Sequence, residues 1–247
     1  MATHYLKIHS IESFGAHDGP GIRMVVFLQG CNLKCLYCQN ADTITQKGGE
    51  EVAIEEIVRR AKNMRTYFKN GGGVTVSGGE PCLQSAVVIE LFKLLHAEGI
   101  HTNVDTNATV KTADAQKLIT EYADLVMFDI KHTSASGFKE LTHVSGLDAA
   151  IEMISLRNKI QKPFWLRYVM VPTYNNQTEN INWIIEQFSG MEYLERLELI
   201  PFHQLGGHKW KLLGEEYKLV NLRTNTEEEL AEAELLLKPH FKSVVRK

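Results

Sequence analysis

Met24-Val-Val-Phe-Leu28-Gln-Gly30-Cys31-Asn-Leu-Lys-Cys35-Leu-Tyr-Cys38 is the stretch that decides the reading of this chain. An apolar run of strand character ends in a loop that holds three of the chain's four cysteines. Three thiols at C-x3-C-x2-C spacing suit a metal centre but leave a tetrahedral or cubane site one ligand short. A [4Fe–4S] cluster ordinarily takes four thiolates. Three leave one iron open, and an open position marks a chemical site rather than a structural one. The alternative is a structural zinc site with His9 or His17 as fourth ligand. It lacks the second C-x2-C half that such sites usually have.

Five further apolar runs occur, at Val74–Val76, Thr102–Val104, Leu125–Ile130, Trp165–Val171 and Leu197–Ile200. Several are continuous rather than alternating, as in strands of a parallel sheet buried on both faces. The intervals read as helices. Ile54, Ile57, Val58, Ala61 and Phe68 fall near helical spacing, as do Val87, Val88, Leu91, Leu94 and Leu95, with Gly99 as a stop. Weaker patterns cover Ala113–Tyr122, Leu147–Ile160 and Glu179–Phe188. Thr226-Glu-Glu-Glu229 opens a last helix that stops before Pro239. Six strand–helix units predict a parallel α/β fold. A partial, open (β/α)6 barrel and a flat doubly wound sheet both fit. In either, ligands bind where the strands end.

Those strand ends carry chemistry. Ser77-Gly78-Gly79-Glu80 comes after the second run, and its glycines let a ligand approach the backbone, with N–H groups able to meet a carboxylate. An ordinary tight turn is the plain alternative. Cys82, next to it, reads as a small buried apolar residue. Asp105-Thr106-Asn107 and Asp129-Ile130-Lys131 come after the third and fourth runs. Each Asp suits a helix cap, and two at neighbouring strand ends suit a cation. Arg167 inside the fifth run needs a partner or a polar cavity. His203 lies just past the sixth.

Composition sets the bounds. At 247 residues the chain is long enough for one large domain with an ample core. A net charge of −3 argues against a general nucleic-acid binder. No stretch is apolar enough to span a bilayer. Met1–Lys7 has no signal-peptide apolar region, so a cytoplasmic protein is expected, and clustered cysteines there point to metal or catalysis rather than disulfides.

Together these segments resemble the pyruvate formate-lyase activating enzymes, the glycyl-radical enzyme activases of the radical S-adenosylmethionine (SAM) superfamily. The resemblance is carried by His9-Ser-Ile-Glu-Ser13, Asp18-Gly-Pro-Gly-Ile-Arg23, Cys35-Leu-Tyr-Cys38, Ser77-Gly-Gly-Glu80, Asp105-Thr-Asn107, Asp124-Leu-Val-Met-Phe-Asp-Ile-Lys131, Arg167-Tyr-Val-Met-Val-Pro172 and Gly206-Gly-His-Lys-Trp210. The interval between cysteine loop and Gly-Gly-Glu turn has no cysteine-rich insert, which favours the pyruvate formate-lyase type.

The resemblance implies one radical SAM domain over 1–247 with its cluster loop near 29–40, folded as a partial (β/α)6 barrel. It implies that Cys31, Cys35 and Cys38 hold a [4Fe–4S] cluster whose open iron is chelated by SAM. One electron then breaks the sulfonium, and the resulting 5′-deoxyadenosyl radical takes a hydrogen atom from a glycine Cα of a pyruvate formate-lyase-like partner. Tyr37, Cys38 and Gln39 would line the adenine. Gly78, Gly79, Glu80, Asp129, Ile130, Lys131, Arg167 and His203 would contact SAM. Asp105, Thr106, the Met127 carbonyl and Asp129 would hold a monovalent cation, Na+ or K+. Asp18 would face the partner's glycine-bearing peptide. The implied electron donor is reduced flavodoxin or ferredoxin, with neither nucleic acid nor membrane as partner. Departures are Gln39 where well-known members have His, Ala108 in place of Gly, and Pro81-Cys82 after the turn.

Overall fold

The computed structural model describes residues 4–247, so Met1–Thr3, part of the N-terminal segment read for a signal peptide, lie outside it. The chain divides into two compact units. Of the described residues, the first comprises 4–32, 43–106 and 110–127, and the second 33–42, 107–109 and 128–247.

In the first unit, β1 (Tyr5–Gly15) runs antiparallel to β2 (Arg23–Leu28) and to the short β3 (Glu50–Ala53). After α1 (Ile54–Asn63), β4 (Gly73–Gly78) lies parallel to β2. After α2 (Ser85–Ala97), β5 (His101–Thr106) lies parallel to β4. The expected β2, β4 and β5 are present. The antiparallel β1 and β3 are a departure from the all-parallel expectation. β1 alternates buried and exposed side chains only at its start, through Leu6 and Ile8, and then turns polar, so no apolar run announces it. The continuous burial of Met24–Val26 and of Val74–Val76 shows strands covered on both faces, as their composition requires.

α2 stops as expected: Gly99 takes φ +67 and its N–H bonds the His96 carbonyl. α3 (Ala113–Lys117) is capped by the Thr112 hydroxyl, which accepts from Ala115 N–H, and continues as a π turn over Leu118–Tyr122. Neither Asp105 nor Asp129 serves as a helix cap in these segments. β6 (Leu125–Asp129) begins in the first unit and ends in the second.

The second unit continues through α4 (Ala135–Thr142), α5 (Leu147–Lys159), β7 (Phe164–Met170), α6 (Thr178–Phe188) and β8 (Leu194–Pro201), with β7 and β8 parallel. The short α7 (Gly207–Leu212) comes next, and then α8 (Glu227–Leu237). α8 opens with the expected capping box: Thr226 accepts from Glu229 N–H and the Glu229 carboxylate accepts from Thr226 N–H. β9 (Val244–Arg246) pairs parallel with β8. Among the described residues no helix is long and apolar enough to cross a membrane.

Candidate active site

Two loops of the first unit meet where β2 and β4 end. The Gly78-Gly79 turn presses on the start of the cysteine loop: Gly79 N–H donates to the Leu28 carbonyl at 2.9 Å and Glu80 N–H to the Gly30 carbonyl at 2.8 Å. A Cβ on Gly79 would overlap the Gly30 carbonyl, so glycine is required there for close approach. The Gly79 N–H is therefore spent inside the protein, contrary to the expectation that it meets a ligand carboxylate. Cys31 leaves this loop with its N–H bonded to the Ile44 carbonyl.

Glu80 is buried, and its Oε1 accepts from Cys82 N–H (2.9 Å) and the Thr106 hydroxyl (2.6 Å). It staples the turn to β5. Cys82 is buried as expected, its Sγ 3.5 Å from Thr106 Oγ1. Burial, then the Glu80 charge, pushes its thiol well up, so it is an unreactive group. Asp105 accepts from the Ser77 hydroxyl at 2.9 Å.

The second unit holds Cys35, Tyr37, Cys38 and Gln39. The loop lies along the end of α4, with Lys34 and Leu36 N–H groups bonded to the Thr142 and Leu141 carbonyls. It lies also against α7. Trp210 Nε1 donates to the Cys38 carbonyl at 3.1 Å, and Lys209 reaches Asp42 at 3.0 Å. Gln39 and His203 meet through Gln39 Nε2 and His203 Nε2 at 2.5 Å. Trp210 and Lys209 were not singled out from the sequence as site-forming, although both lie in the Gly206–Trp210 segment that carries the resemblance.

Asp129 and Lys131 form a part-buried ion pair, Nζ to Oδ2 2.7 Å, with Lys131 Nζ 5.9 Å from the Tyr37 ring centre. Burial alone would raise Asp129, but Lys131 and Arg167 outweigh it and hold the carboxylate below its ordinary range. Burial likewise opposes the Lys131 charge, yet Asp129, with Tyr37 and Cys35, holds the ammonium well above its ordinary value. Cys35 is pushed up to about 12, by burial first, with Lys131 pulling the other way. Ile130 N–H bonds the Arg167 carbonyl. The partner that Arg167 requires is Glu198, directly opposite on β8, with Arg167 Nε 3.6 Å from Glu198 Oε2. Glu198 is fully buried and is also approached by Arg196 (3.8 Å) and Lys247 (3.1 Å). Its signal in the sequence was a lone acid inside the run Leu197–Ile200.

None of the four cysteines is in a disulfide. Among the described residues no group of three or more His, Cys, Asp or Glu side chains is gathered so as to hold a metal ion. The donor chemistry nonetheless fits an iron–sulfur cluster: three soft thiols stand within eight residues, and the Lys131 ammonium partly offsets the burial that raises Cys35.

Residues 25–182 match the model of the radical SAM superfamily. The chain belongs to that superfamily, whose cofactors are a [4Fe–4S] cluster and SAM, and its α/β fold, consistent with a partial barrel, is of that type. Within it, the chain is 39% identical over 233 residues to the pyruvate formate-lyase-activating enzyme of Clostridium pasteurianum, covering 94% of this chain and 97% of that one. It is 39% identical over 242 residues to the pyruvate formate-lyase 1-activating enzyme of Escherichia coli, covering 97% and 98%. Among solved structures, a domain of pyruvate-formate lyase-activating enzyme from Bacteroides vulgatus superposes with TM-score 0.60 at 20% identity, over 72% of this chain and 99% of that one. Streptococcus suis SuiB bound to precursor peptide SuiA superposes with TM-score 0.69 at 16% identity, over 96% and 50%. The zinc-module alternative finds no support among these relatives.

Proposed function

We propose that this chain activates a pyruvate formate-lyase-like glycyl-radical enzyme, working as a single radical SAM domain over 1–247. The observation that carries this is an intact C-x3-C-x2-C triad in a chain alignable end to end with activating enzymes at 39% identity. Cys31, Cys35 and Cys38 hold the cluster, and the lack of a fourth thiol in the loop leaves room for SAM. When bound, the cluster and SAM together supply a one-electron cleavage that ends in hydrogen-atom abstraction from a glycine Cα.

The protein's own groups bind and orient. Asp129, Ile130, Lys131, Arg167 and His203 contact SAM, with Tyr37, Cys38 and Gln39 on the adenine side. The Gly78-Gly79 turn meets the methionine amino group through its carbonyl edge, since the Gly79 N–H is committed to Leu28. Glu80 acts on SAM indirectly, through the turn it staples. Asp105, Thr106, the Met127 carbonyl and Asp129 hold a monovalent cation. Asp18 faces the glycine-bearing peptide. The enzyme works in the cytoplasm with a reduced flavodoxin or ferredoxin as electron donor.

The test is anaerobic reconstitution with iron and sulfide, photoreduction, and addition of SAM and pyruvate formate-lyase. A glycyl doublet in the electron paramagnetic resonance spectrum is expected. SAM cleavage stimulated by metabolites and not by any glycyl-radical enzyme would instead assign a small-molecule substrate.

A further inference from the structure

Asp18-Gly-Pro-Gly-Ile-Arg23 is a loop of the first unit whose backbone is gripped by buried groups. Thr75 Oγ1 donates to the Asp18 carbonyl at 2.7 Å, and Asn103 Nδ2 donates to the same carbonyl at 3.0 Å. Arg23 Nη1 donates to the carbonyls of Pro20 (3.2 Å) and Gly71 (2.8 Å), and its Nη2 to that of Val74 (2.7 Å). Arg23, Thr75 and Asn103 are all fully buried.

The directions of these bonds are forced. Arg23 Nε (2.5 Å) and Asn103 Nδ2 (3.2 Å) also meet the Thr75 hydroxyl. A guanidinium and an amide NH2 can only donate, so the hydroxyl accepts both and its single proton goes to Asp18. The Asn103 amide cannot be reversed, because its oxygen would then face the Asp18 carbonyl. The loop fits tightly on this cluster. A Cβ on Gly19 would stand 2.9 Å from Arg23 Cδ and 3.0 Å from Asn103 Nδ2. Thr75 and Asn103 lie on the face of β4 and β5 shared with Ser77 and Asp105, which are themselves bonded. The opposite face, with Thr102, is tied to His96 of α2.

We infer that Arg23, Thr75 and Asn103 form a latch that fixes the backbone of residue 18 and so presents the Asp18 carboxylate to the partner's peptide. They are positioning residues, and the inference rests on the proposed role of Asp18 facing that peptide. A saturated, buried hydroxyl has no slack. Removing it leaves the Arg23 and Asn103 donors and the Asp18 carbonyl underbonded, and the loop is freed to move.

Thr75→Val keeps the side-chain shape and deletes the hydroxyl, whereas Thr75→Ser keeps the hydroxyl. Reconstituted variants are titrated with the pyruvate formate-lyase of Escherichia coli, reading the glycyl radical. In Thr75→Val the half-saturating lyase concentration should rise roughly tenfold, as for loss of about one hydrogen bond. SAM affinity and lyase-independent SAM cleavage should not change, and Thr75→Ser should restore wild-type behaviour. Asp18→Asn should weaken the lyase similarly, and the double variant should be no worse than either single one.

Amide hydrogen exchange over residues 16–21 should quicken in Thr75→Val and not in Thr75→Ser. It needs no lyase, so it decides the latch even if that lyase is not a substrate. Exchange unchanged in Thr75→Val overturns the latch and leaves the Asp18 role standing. Wild-type half-saturation in Asp18→Asn overturns that role and this inference with it.

Discussion

Ala108 adopts φ +61 while fully buried, at the position where the family pattern has glycine. A left-handed alanine costs roughly 1–2 kcal/mol. Glycine would relieve that strain but give up about 0.8 kcal/mol of methyl burial and about 0.4–1 kcal/mol of unfolded-state entropy. The terms nearly cancel. Ala108→Gly should therefore shift urea-derived stability by less than about 1 kcal/mol, while Ala108→Val, strained and overpacked, should cost about 2 kcal/mol or more. The substitution was legible in the sequence, but its backbone angle was not, because the turn leaving β5 sets φ at 108.

The Asp129–Lys131 pair carries a pH signature. Asp129 is depressed in the fold, so its contribution is present above the unfolded value of about 3.9 and fades as pH falls below it. Lys131 is raised, so its contribution is present below about 10.4 and fades as pH rises further. The pair should stabilise fully between those limits. Lys131→Met leaves a part-buried carboxylate with Arg167 as its remaining cation and should cost about 1–3 kcal/mol at neutral pH. Urea titrations at a series of pH values should show the gap between wild type and variant narrowing toward pH 3.

At the scale of elements, α7 is a short helix strapped over the cysteine loop. A Cβ on Gly206 would lie 2.5 Å from Gln39 Cα and 2.8 Å from the Cys38 carbonyl, backbone against backbone. Gly206→Ala must lift α7 and break the bond from Trp210 to Cys38. Iron bound after reconstitution should fall by more than half, whereas Gly190→Ala, whose Cβ meets nothing within 4 Å, should leave it unchanged. At α8, Thr226→Ala removes one half of the capping box and should cost about 1 kcal/mol in urea unfolding. The six apolar runs and most of the helices between them were readable because continuous burial forces continuous apolar sequence. β3 and β9, at 4 and 3 residues, are too short for any period. α4 and α7 were missed too, the latter only 6 residues long.

At the scale of the whole molecule, the proposed function depends on a metal centre with three protein ligands. The C-x3-C-x2-C spacing of Cys31, Cys35 and Cys38 and the charged strand ends are visible in the sequence itself. What was not legible is which polar groups the fold pairs with one another: Glu80 on its own turn, Glu198 beside Arg167, the Asp18 carbonyl on Thr75 and Asn103. Pairings of this kind depend on register between strands distant in sequence. Alanine at 31, 35 or 38 should abolish the iron–sulfur absorbance, while Cys82→Ala should keep iron and sulfide at wild-type levels.

The central claim is that a hydrogen atom passes from a partner glycine to the nucleoside released from SAM. Pyruvate formate-lyase made with glycine deuterated at Cα tests this directly when mixed with the reduced, reconstituted protein and SAM. One deuterium in the 5′-deoxyadenosine, read by mass spectrometry and matched by loss of signal from the lyase glycine, is the expected result. 5′-Deoxyadenosine that forms in full amount and carries no deuterium would contradict the account.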